Sequence, residues 1–223
     1  MLRHSLDYYF QIISLFAAIF YYTQKRNKIP LYFIPFLFLT VTIESFGIWG
    51  SFPDGFRKMA MYNVFTTLEF VFYAFLFYTH FKRMIFKKMV LLFIPLFLLT
   101  VGLNLAFIQG LNKTFHSYTF LLGSFFIVVF CCCFFYESVL PDRIDQQLAK
   151  QPFFWICSGL LIFYLGSVII NALFEYLSSN DLQIEGIKIY NNINRTLNVI
   201  LYSSFCIAFY LCPNNRKTYS SQL

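Results

Sequence analysis

The chain has 223 residues, of which 59% are hydrophobic, 22% are aromatic and only 12% are charged. Water-soluble domains carry about 25% charged residues, so this composition excludes an ordinary soluble domain. The formal net charge is +7, but the basic residues are grouped in short clusters between long apolar runs. This distribution is typical of a helical membrane protein and argues against nucleic acid as a partner.

Seven apolar runs follow one another along the chain. A run of about 20 apolar residues has the length of a helix that crosses the hydrocarbon core of a bilayer. Lipid offers no hydrogen-bond partner to open backbone groups, so we expect each run to be helical. The predicted spans are Asp7–Thr23, Leu31–Gly50, Ala60–His80, Met89–Phe107, Ser117–Tyr136, Phe153–Tyr176 and Tyr190–Cys212.

The connections between these runs are short, at about 15 residues or fewer. A segment of that length cannot bury a core of its own in water. We therefore expect an all-α polytopic membrane protein, with one bundle of seven transmembrane helices over residues 1–223 and no soluble domain. The first run is interpreted as a span rather than a signal peptide, because bulky and basic residues follow it. Pro35 and Pro95 fall inside predicted spans, where helices tolerate a kink.

The distribution of Lys and Arg predicts the orientation of the bundle. Eleven of the 17 basic residues lie in the connections after spans one, three and five and in the C-terminal tail, against five on the opposite side. Cytoplasmic loops carry the excess of positive charge. We therefore expect the N-terminus outside and the C-terminus in the cytoplasm.

Four ionisable side chains fall inside predicted spans: Glu44, Glu69, Glu175 and Arg195. Each costs about 2.5–3.5 kcal/mol at the centre of a membrane helix, so such residues are functional candidates by default. The predicted orientation puts Glu69 near the middle of the membrane and the other three in its outer half. Because an unpaired buried charge is costly, we expect Arg195 to pair with a carboxylate, Glu69 before Glu175 or Glu44.

Polar residues on three predicted helices extend this group. In span seven, Asn191, Asn194, Arg195, Asn198 and Tyr202 share one helical face. Span three adds Asn63 and Glu69 with neighbouring threonines, and span six adds Asn171 and Glu175 at i, i+4. We predict a ligand-binding polar chamber in the outer half, formed by Glu44, Asn63, Glu69, Asn171, Glu175, Asn191, Arg195 and Asn198. The alternative is structural, because such side chains also hydrogen-bond across membrane helices.

The remaining chemistry-bearing residues do not form a recognisable catalytic or metal motif. The six cysteines fall in the predicted cytoplasmic half, where reducing conditions disfavour disulfides, and we interpret them as packing residues. The three histidines lie far apart and lack the spacing of metal ligands. The sequence therefore predicts no metal and no cofactor. An intramembrane enzyme, with Glu69 or Glu175 as acid or base, has no nucleophile or metal to support it.

Two aromatic helices with scattered polar residues, Tyr62–Tyr78 and Asn194–Cys212, give the chain a resemblance to known membrane proteins. The layout resembles small, uncharacterised seven-span bacterial membrane proteins and the seven-span input domains of some sensor kinases. The resemblance covers the whole chain and implies a bacterial inner (plasma) membrane location.

The function that we predict is a membrane sensor or interaction module. It would bind a small molecule or a membrane lipid in the outer chamber and couple to a cytoplasmic or membrane protein partner. A small transporter or channel that uses the same polar faces is the alternative. Polar residues become fewer in the inner half of the spans, which favours the sensor. A purely structural subunit also remains open.

Overall fold

The structure, a computed structural model, describes residues 6–50, 55–109, 116–140, 148–179 and 183–213. For residues 55–57, 174–179 and 183–185 it describes the backbone alone. Within these ranges every long element is an α-helix. The helices are α1 (Leu6–Lys25), α2 (Lys28–Trp49), α3 (Gly55–His80), α4 (Met84–Leu103), α5 (Ser117–Val139), α6 (Pro152–Ser179) and α7 (Gln183–Leu211). Each predicted span coincides with one of them.

Five of the described helices are long and apolar enough to cross a membrane. They comprise Lys28–Trp49, Lys58–His80, Met84–Ile108, Ser117–Val139 and Pro152–Leu173. Helices α1 and α7 lie where spans were predicted but do not reach the same apolarity. The prediction of an all-helical membrane protein is therefore confirmed, whereas the crossing of the membrane by α1 and α7 stays a prediction.

The turn between α1 and α2 follows from its local sequence. Arg26 has a left-handed backbone, with φ of 49°, which ends α1. The Asn27 side-chain oxygen then accepts a hydrogen bond from the Ile29 amide at 2.9 Å and caps the start of α2. Pro30 falls in the first turn of α2, where its missing amide hydrogen costs nothing. Two residues therefore suffice to reverse the chain.

Two prolines lie inside helices, as predicted. Helix α2 continues through Pro35 and helix α4 through Pro95. Beyond Leu103, α4 widens into a π-helical turn over Asn104–Ile108. The Asn104 side chain is buried there and donates a hydrogen bond to the Gln109 side chain at 3.1 Å.

The chain divides into two compact units. Unit 1 comprises Met1–Val41 and Asp145–Leu223, and unit 2 comprises Thr42–Ile144. Unit 1 therefore contains α1, α6 and α7 with the first part of α2, and unit 2 contains α3, α4 and α5 with the last turns of α2. The described helices of the two units differ in what they bury.

In unit 1, α7 packs along α6 through close backbone approach. A Cβ atom added at Gly159 would lie 1.8 Å from the Ser204 hydroxyl oxygen. One added at Gly166 would lie 2.6 Å from a Leu197 methyl carbon. Only glycine fits such distances, and small residues at helix interfaces are the usual route to tight packing in membranes. The order of the contacts makes α6 and α7 antiparallel.

Helix α1 runs parallel to α7 in the same unit. Ser14 lies next to the thiol of Cys206, and further along both helices the rings of Tyr21 and Tyr210 are 6.0 Å apart. At the end of α1, the Lys25 ammonium donates to the Tyr210 carbonyl and lies 5.0 Å from the Tyr21 ring centroid. These contacts hold the C-terminal ends of α1 and α7 together.

Unit 2 has a core of stacked aromatic rings. The ring centroids of Phe70 on α3 and Phe97 on α4 are 3.9 Å apart. Those of Phe93 on α4 and Phe126 on α5 are 4.4 Å apart. Phe130 on α5 is fully buried beside this group. Aromatic pairs of this kind add about 0.5–1.5 kcal/mol beyond the area they bury, so the three helices are held by an apolar interior.

Candidate functional site

A polar cluster joins the last turns of α2 to the first turns of α3 in unit 2. The Tyr62 hydroxyl donates a hydrogen bond to the Glu44 carboxylate at 3.1 Å. One turn earlier on α3, the Lys58 ammonium donates to the Gly47 carbonyl at 2.9 Å. We call Glu44, Gly47, Lys58 and Tyr62 the Glu44 cluster. It tethers the two helices at one end of unit 2.

Gly47 makes this cluster geometrically feasible. A Cβ atom at this position would lie only 2.2 Å from the Tyr62 hydroxyl oxygen and 3.2 Å from its ring carbon Cζ. Any larger side chain would therefore displace the tyrosine from the carboxylate of Glu44. The contact also keeps the half-buried Glu44 carboxylate beside a hydrogen-bond donor, the Tyr62 hydroxyl.

Asn63, the next residue along α3, has a bracing role in the structure. Its side chain is 4% exposed, and the side-chain oxygen Oδ1 accepts a hydrogen bond from the His116 backbone amide at 3.0 Å. His116 stands immediately before α5, where backbone amides have no helical partner. Asn63 therefore caps α5 from α3.

Glu69 lies on α3 about 10 Å beyond Tyr62 along the helix axis. Its side chain is half-buried. Between the two, Thr66 donates its hydroxyl hydrogen to the Tyr62 carbonyl and Thr67 donates to the Asn63 carbonyl, so both threonines are bonded to their own helix. Unit 2 thus contains three of the eight predicted ligand-binding residues, Glu44, Asn63 and Glu69, on two adjoining helices.

A second carboxylate site lies at the opposite end of α3. Glu137, in the last turn of α5, is 3% exposed. Its Oε1 atom accepts hydrogen bonds from the backbone amides of Lys82 at 3.1 Å and Arg83 at 2.7 Å, and Lys82 is also 3.3 Å from Oε2. Arg83 is the N-cap residue of α4 and has no cap from its own side chain. Glu137 supplies that cap, and we call this contact the Glu137 clasp.

The clasp fixes the backbone of a short connection that carries exposed side chains. Lys82, Arg83 and Lys88 are exposed, as are Met84 and Ile85, which are 67% and 69% exposed. A carboxylate at a helix N-terminus also interacts favourably with the helix dipole. The buried Glu137 carboxylate therefore fixes the backbone of the α3–α4 connection. The connection and the first turns of α4 expose basic and apolar side chains.

The sequence did not predict the role of Glu137. The predicted fifth span ended at Tyr136, so Glu137 was taken to lie in the following connection. Its partners are backbone amides, which no pattern of side chains identifies. The one feature of the sequence that could have indicated this role is an acidic residue at the end of an apolar run. The predicted topology puts that residue on the same side of the membrane as the basic connection after span three.

Unit 1 contains the other predicted residues: Asn171, Glu175, Asn191, Arg195 and Asn198. Asn171 is half-buried and donates to the Ser167 carbonyl of its own helix at 2.7 Å. Asn198 is half-buried and donates to the Asn194 carbonyl at 3.0 Å. Asn191 and Arg195 are exposed, and the side chain of Glu175 lies outside the described residues.

The predicted ion pair of Arg195 therefore stays a prediction. Two of its candidate partners, Glu69 and Glu44, belong to unit 2, and the third is the side chain of Glu175. The same holds for the chamber that was predicted to unite all eight residues. Within unit 1, the buried residues of α7 at this level include Leu197 and Leu201, and of the predicted polar face Tyr202 is buried whereas Asn191 and Arg195 are exposed.

Helix α1 has a buried polar face that the sequence analysis did not identify. Gln11 and Ser14 are 2% and 0% exposed, and the half-buried Asp7 precedes them on the same face. We call Asp7, Gln11 and Ser14 the α1 polar row. The same periodicity that singled out span seven would have found it, since the residues stand at i, i+4 and i+7.

The cysteines do not point to a metal site in the described part of the chain. All six are free thiols, and Cys131, Cys157 and Cys212 are buried. Among the described residues, no group of three His, Cys, Asp or Glu side chains is arranged to hold a metal ion.

Comparison of the sequence with protein-family models and with curated proteins gave no significant match, and comparison with solved structures gave none either.

Proposed function

We propose that this protein is a seven-span sensor or interaction module of a bacterial inner membrane, with its N-terminus outside. The Glu44 cluster, with Glu69, would form the outer binding site for a small molecule or lipid headgroup. The α3–α4 connection, held by the Glu137 clasp, would present its basic residues to a cytoplasmic protein partner. The connections between the helices are too short to contain an output domain, so we assign the output to this partner.

The single observation that supports this proposal is the continuity of α3. One helix of 26 residues carries Lys58 and Tyr62 in its first turns and leads at its end into the amides that Glu137 binds. A helix of that length spans about 39 Å, which exceeds the thickness of the hydrocarbon core. A small rotation or shift of α3 at the Glu44 cluster would therefore also displace the backbone amides that bind Glu137.

The composition of the site indicates the class of ligand. Glu44 and Glu69 supply carboxylate oxygens, and the nearby Lys58 ammonium is already bonded to the Gly47 carbonyl. The side chains of the site are therefore mainly hydrogen-bond acceptors with negative charge. Such a site favours a ligand with an ammonium group or another strong hydrogen-bond donor.

A fluorescence experiment tests the proposal. A cysteine replaces Lys88 in a variant whose six native cysteines have been removed, and it is labelled with an environment-sensitive dye in nanodiscs. Choline and spermidine serve as ammonium probes, with glycerol 3-phosphate as the anionic control. We expect a saturable change with an ammonium probe that Glu44→Gln abolishes. Thr196→Ala, an exposed position on α7, is the matched control and should retain the response.

The transporter alternative makes a different prediction with the same probes. In proteoliposomes, a sensor binds the ammonium probe at its outer face without carrying it into the lumen. Time-dependent uptake of labelled probe that Glu44→Gln abolishes would replace the sensor with a transporter. Binding that leaves the dye at position 88 unaffected would remove the proposed coupling along α3.

A further inference from the structure

The polar row on α1 presents a chemical problem inside unit 1. The face of α1 that packs into the unit is formed by Tyr8, Gln11, Ser14 and Ala18. In a membrane helix such a face is expected to be apolar or fully hydrogen-bonded, because unsatisfied polar groups in the interior are costly. Here its centre is an amide and a hydroxyl, both nine-tenths buried or more.

Among the described residues, no strong donor reaches the oxygen atoms of this row. Asp7 Oδ1, Gln11 Oε1 and Ser14 Oγ are buried and without a hydrogen-bond partner from the protein, and Ser167 Oγ on α6 is in the same situation. Within the described part of the chain, the one polar contact of the Ser14 hydroxyl is with the Cys206 thiol, whose sulfur is both a weak hydrogen-bond acceptor and a weak donor. Along this face of α1, the buried Asp7 Oδ1 and Gln11 Oε1 atoms therefore lack a hydrogen-bond donor from the described residues, and Ser14 Oγ has only a weak partner.

We propose that unit 1 binds a file of ordered water molecules along the α1 polar row. Asp7 and Ser14 are seven residues apart, which corresponds to about 10 Å along the helix axis. A single metal ion holds its oxygen ligands at about 2.3–2.6 Å, so its ligands lie within about 5 Å of one another. The row is too long for one ion, whereas hydrogen-bonded waters at about 2.8 Å intervals match it.

The chemistry of the row also suits water. Asp7 Oδ1 and Gln11 Oε1 accept hydrogen bonds only, and the Ser14 hydroxyl both donates and accepts. Buried waters make about three hydrogen bonds each to such groups. Asp7 is half-exposed and forms the mouth of the file. Beyond Ser14 the same face continues with Ala18, which is 0% exposed, so the file is closed at its inner end.

The sign of a stability change tests the proposal. If water satisfies the row, Ser14→Ala removes a hydrogen-bonded group and should lower the unfolding midpoint of the protein in nanodiscs by about 2–4 °C. If the row is dry, the same change removes a hydroxyl whose one contact is the weakly accepting Cys206 sulfur, and the midpoint should stay nearly constant or rise, which would overturn the proposal. The matched control is Ser138→Ala, because the buried Ser138 hydroxyl is bonded to the Phe134 carbonyl of its own helix. It should change the midpoint less than Ser14→Ala.

A second measurement does not depend on stability. Hydroxyl radicals generated by radiolysis label side chains that contact bound water, even when those side chains are buried. Tyr8, which is 8% exposed on the same face of α1, should be labelled faster than the fully buried Tyr73 of unit 2. Gln11→Met should slow the labelling of Tyr8 at least threefold. Equal labelling of Tyr8 and Tyr73 in the wild-type protein would contradict the water file.

Cations are distinguished from water by exchanging the salt. Unfolding midpoints in sodium, potassium and choline chloride at equal ionic strength should agree if water alone fills the row. A midpoint that rises specifically with sodium or potassium, and no longer does so in Asp7→Asn, would replace the water file with a cation site.

Discussion

The two units of this protein use different means to hold helices together. Unit 2 packs three strongly apolar helices around stacked phenylalanine rings, and its polar contacts lie at the helix ends. Unit 1 packs α1, α6 and α7 through glycine contacts and buries an amide and hydroxyls in its interior. The two described helices that fall short of the apolarity of a candidate membrane span, α1 and α7, pack against each other in this unit.

This difference bears on α1, which falls short of the apolarity of a candidate membrane span but buries part of its polar surface. A helix whose polar side chains face a neighbouring helix exposes less of its polar surface to lipid than its composition suggests. In unit 2 each helix is apolar enough to cross a membrane by itself. In unit 1 the polar residues of α1 are hidden by packing, so we expect the membrane insertion of α1 to depend on α7.

Removal of the Glu137 clasp should have the largest effect on stability. It tests whether the stability of unit 2 depends on contacts at its helix ends as well as on its stacked rings. Glu137→Ala removes a buried carboxylate and leaves two amides at the start of α4 without an acceptor. We expect the free energy of unfolding to fall by about 3 kcal/mol.

Glu137→Gln separates the contribution of the charge from that of the hydrogen-bond acceptor. It retains one acceptor oxygen but loses the charge, so we expect a smaller loss of about 1 kcal/mol. Both values follow from chemical unfolding in detergent micelles. If Glu137→Ala and Glu137→Gln both changed the free energy of unfolding only slightly, the ring core alone would stabilise unit 2. The clasp would then not contribute to stability.

The glycine contacts of unit 1 should have the next largest effect. Gly166→Ala places a methyl group 2.6 and 2.8 Å from the two methyl carbons of Leu197. Overpacking of this kind costs about 1–3 kcal/mol, measured as a loss of unfolding free energy. Gly102→Ala on α4 is the matched control, because its added Cβ meets nothing within 4 Å. There the higher helix propensity of alanine should leave stability unchanged or raise it by about 0.5–1 kcal/mol.

The Glu44 cluster should have the smallest effect on stability. Tyr62→Phe removes one hydrogen bond to a half-buried carboxylate and should cost about 1 kcal/mol. Gly47→Ala should cost as much or more, since it displaces the same tyrosine. In the two variants combined the losses should not add, because both break one contact. Full additivity in unfolding measurements would show that Gly47 does not act through Tyr62.

Much of the fold could be predicted from the sequence because the determining signal is local. Apolar runs of helical length predicted the positions of all seven helices, and α2, α3 and α6 begin close to Pro30, Gly55 and Pro152. The division into two units could not be predicted in this way. It depends on which helix faces which, and faces rich in Phe and Leu on all sides do not specify a neighbour.

The candidate site was predictable only in part. Ionisable residues within apolar runs led to Glu44 and Glu69, which the structure places on adjoining helices of unit 2. The capping role of Asn63 and the clasp of Glu137 involve backbone amides, and a sequence does not indicate which amide lies opposite a given side chain. The α1 polar row was not predicted, although its spacing is present in the sequence. The prediction of the site started from ionisable residues inside the spans, and Gln11 and Ser14 are uncharged.

The most direct test of the account is the location of both chain ends relative to the connection between α4 and α5. In a variant without native cysteines, single cysteines are placed at position 3, at Asn112 and at position 217, and intact cells are treated with a membrane-impermeant thiol reagent. If α1 and α7 both cross the membrane, positions 3 and 112 react from outside and position 217 does not. If neither crosses, position 112 still reacts, but position 3 is protected and position 217 reacts. That second pattern would contradict the seven-span account.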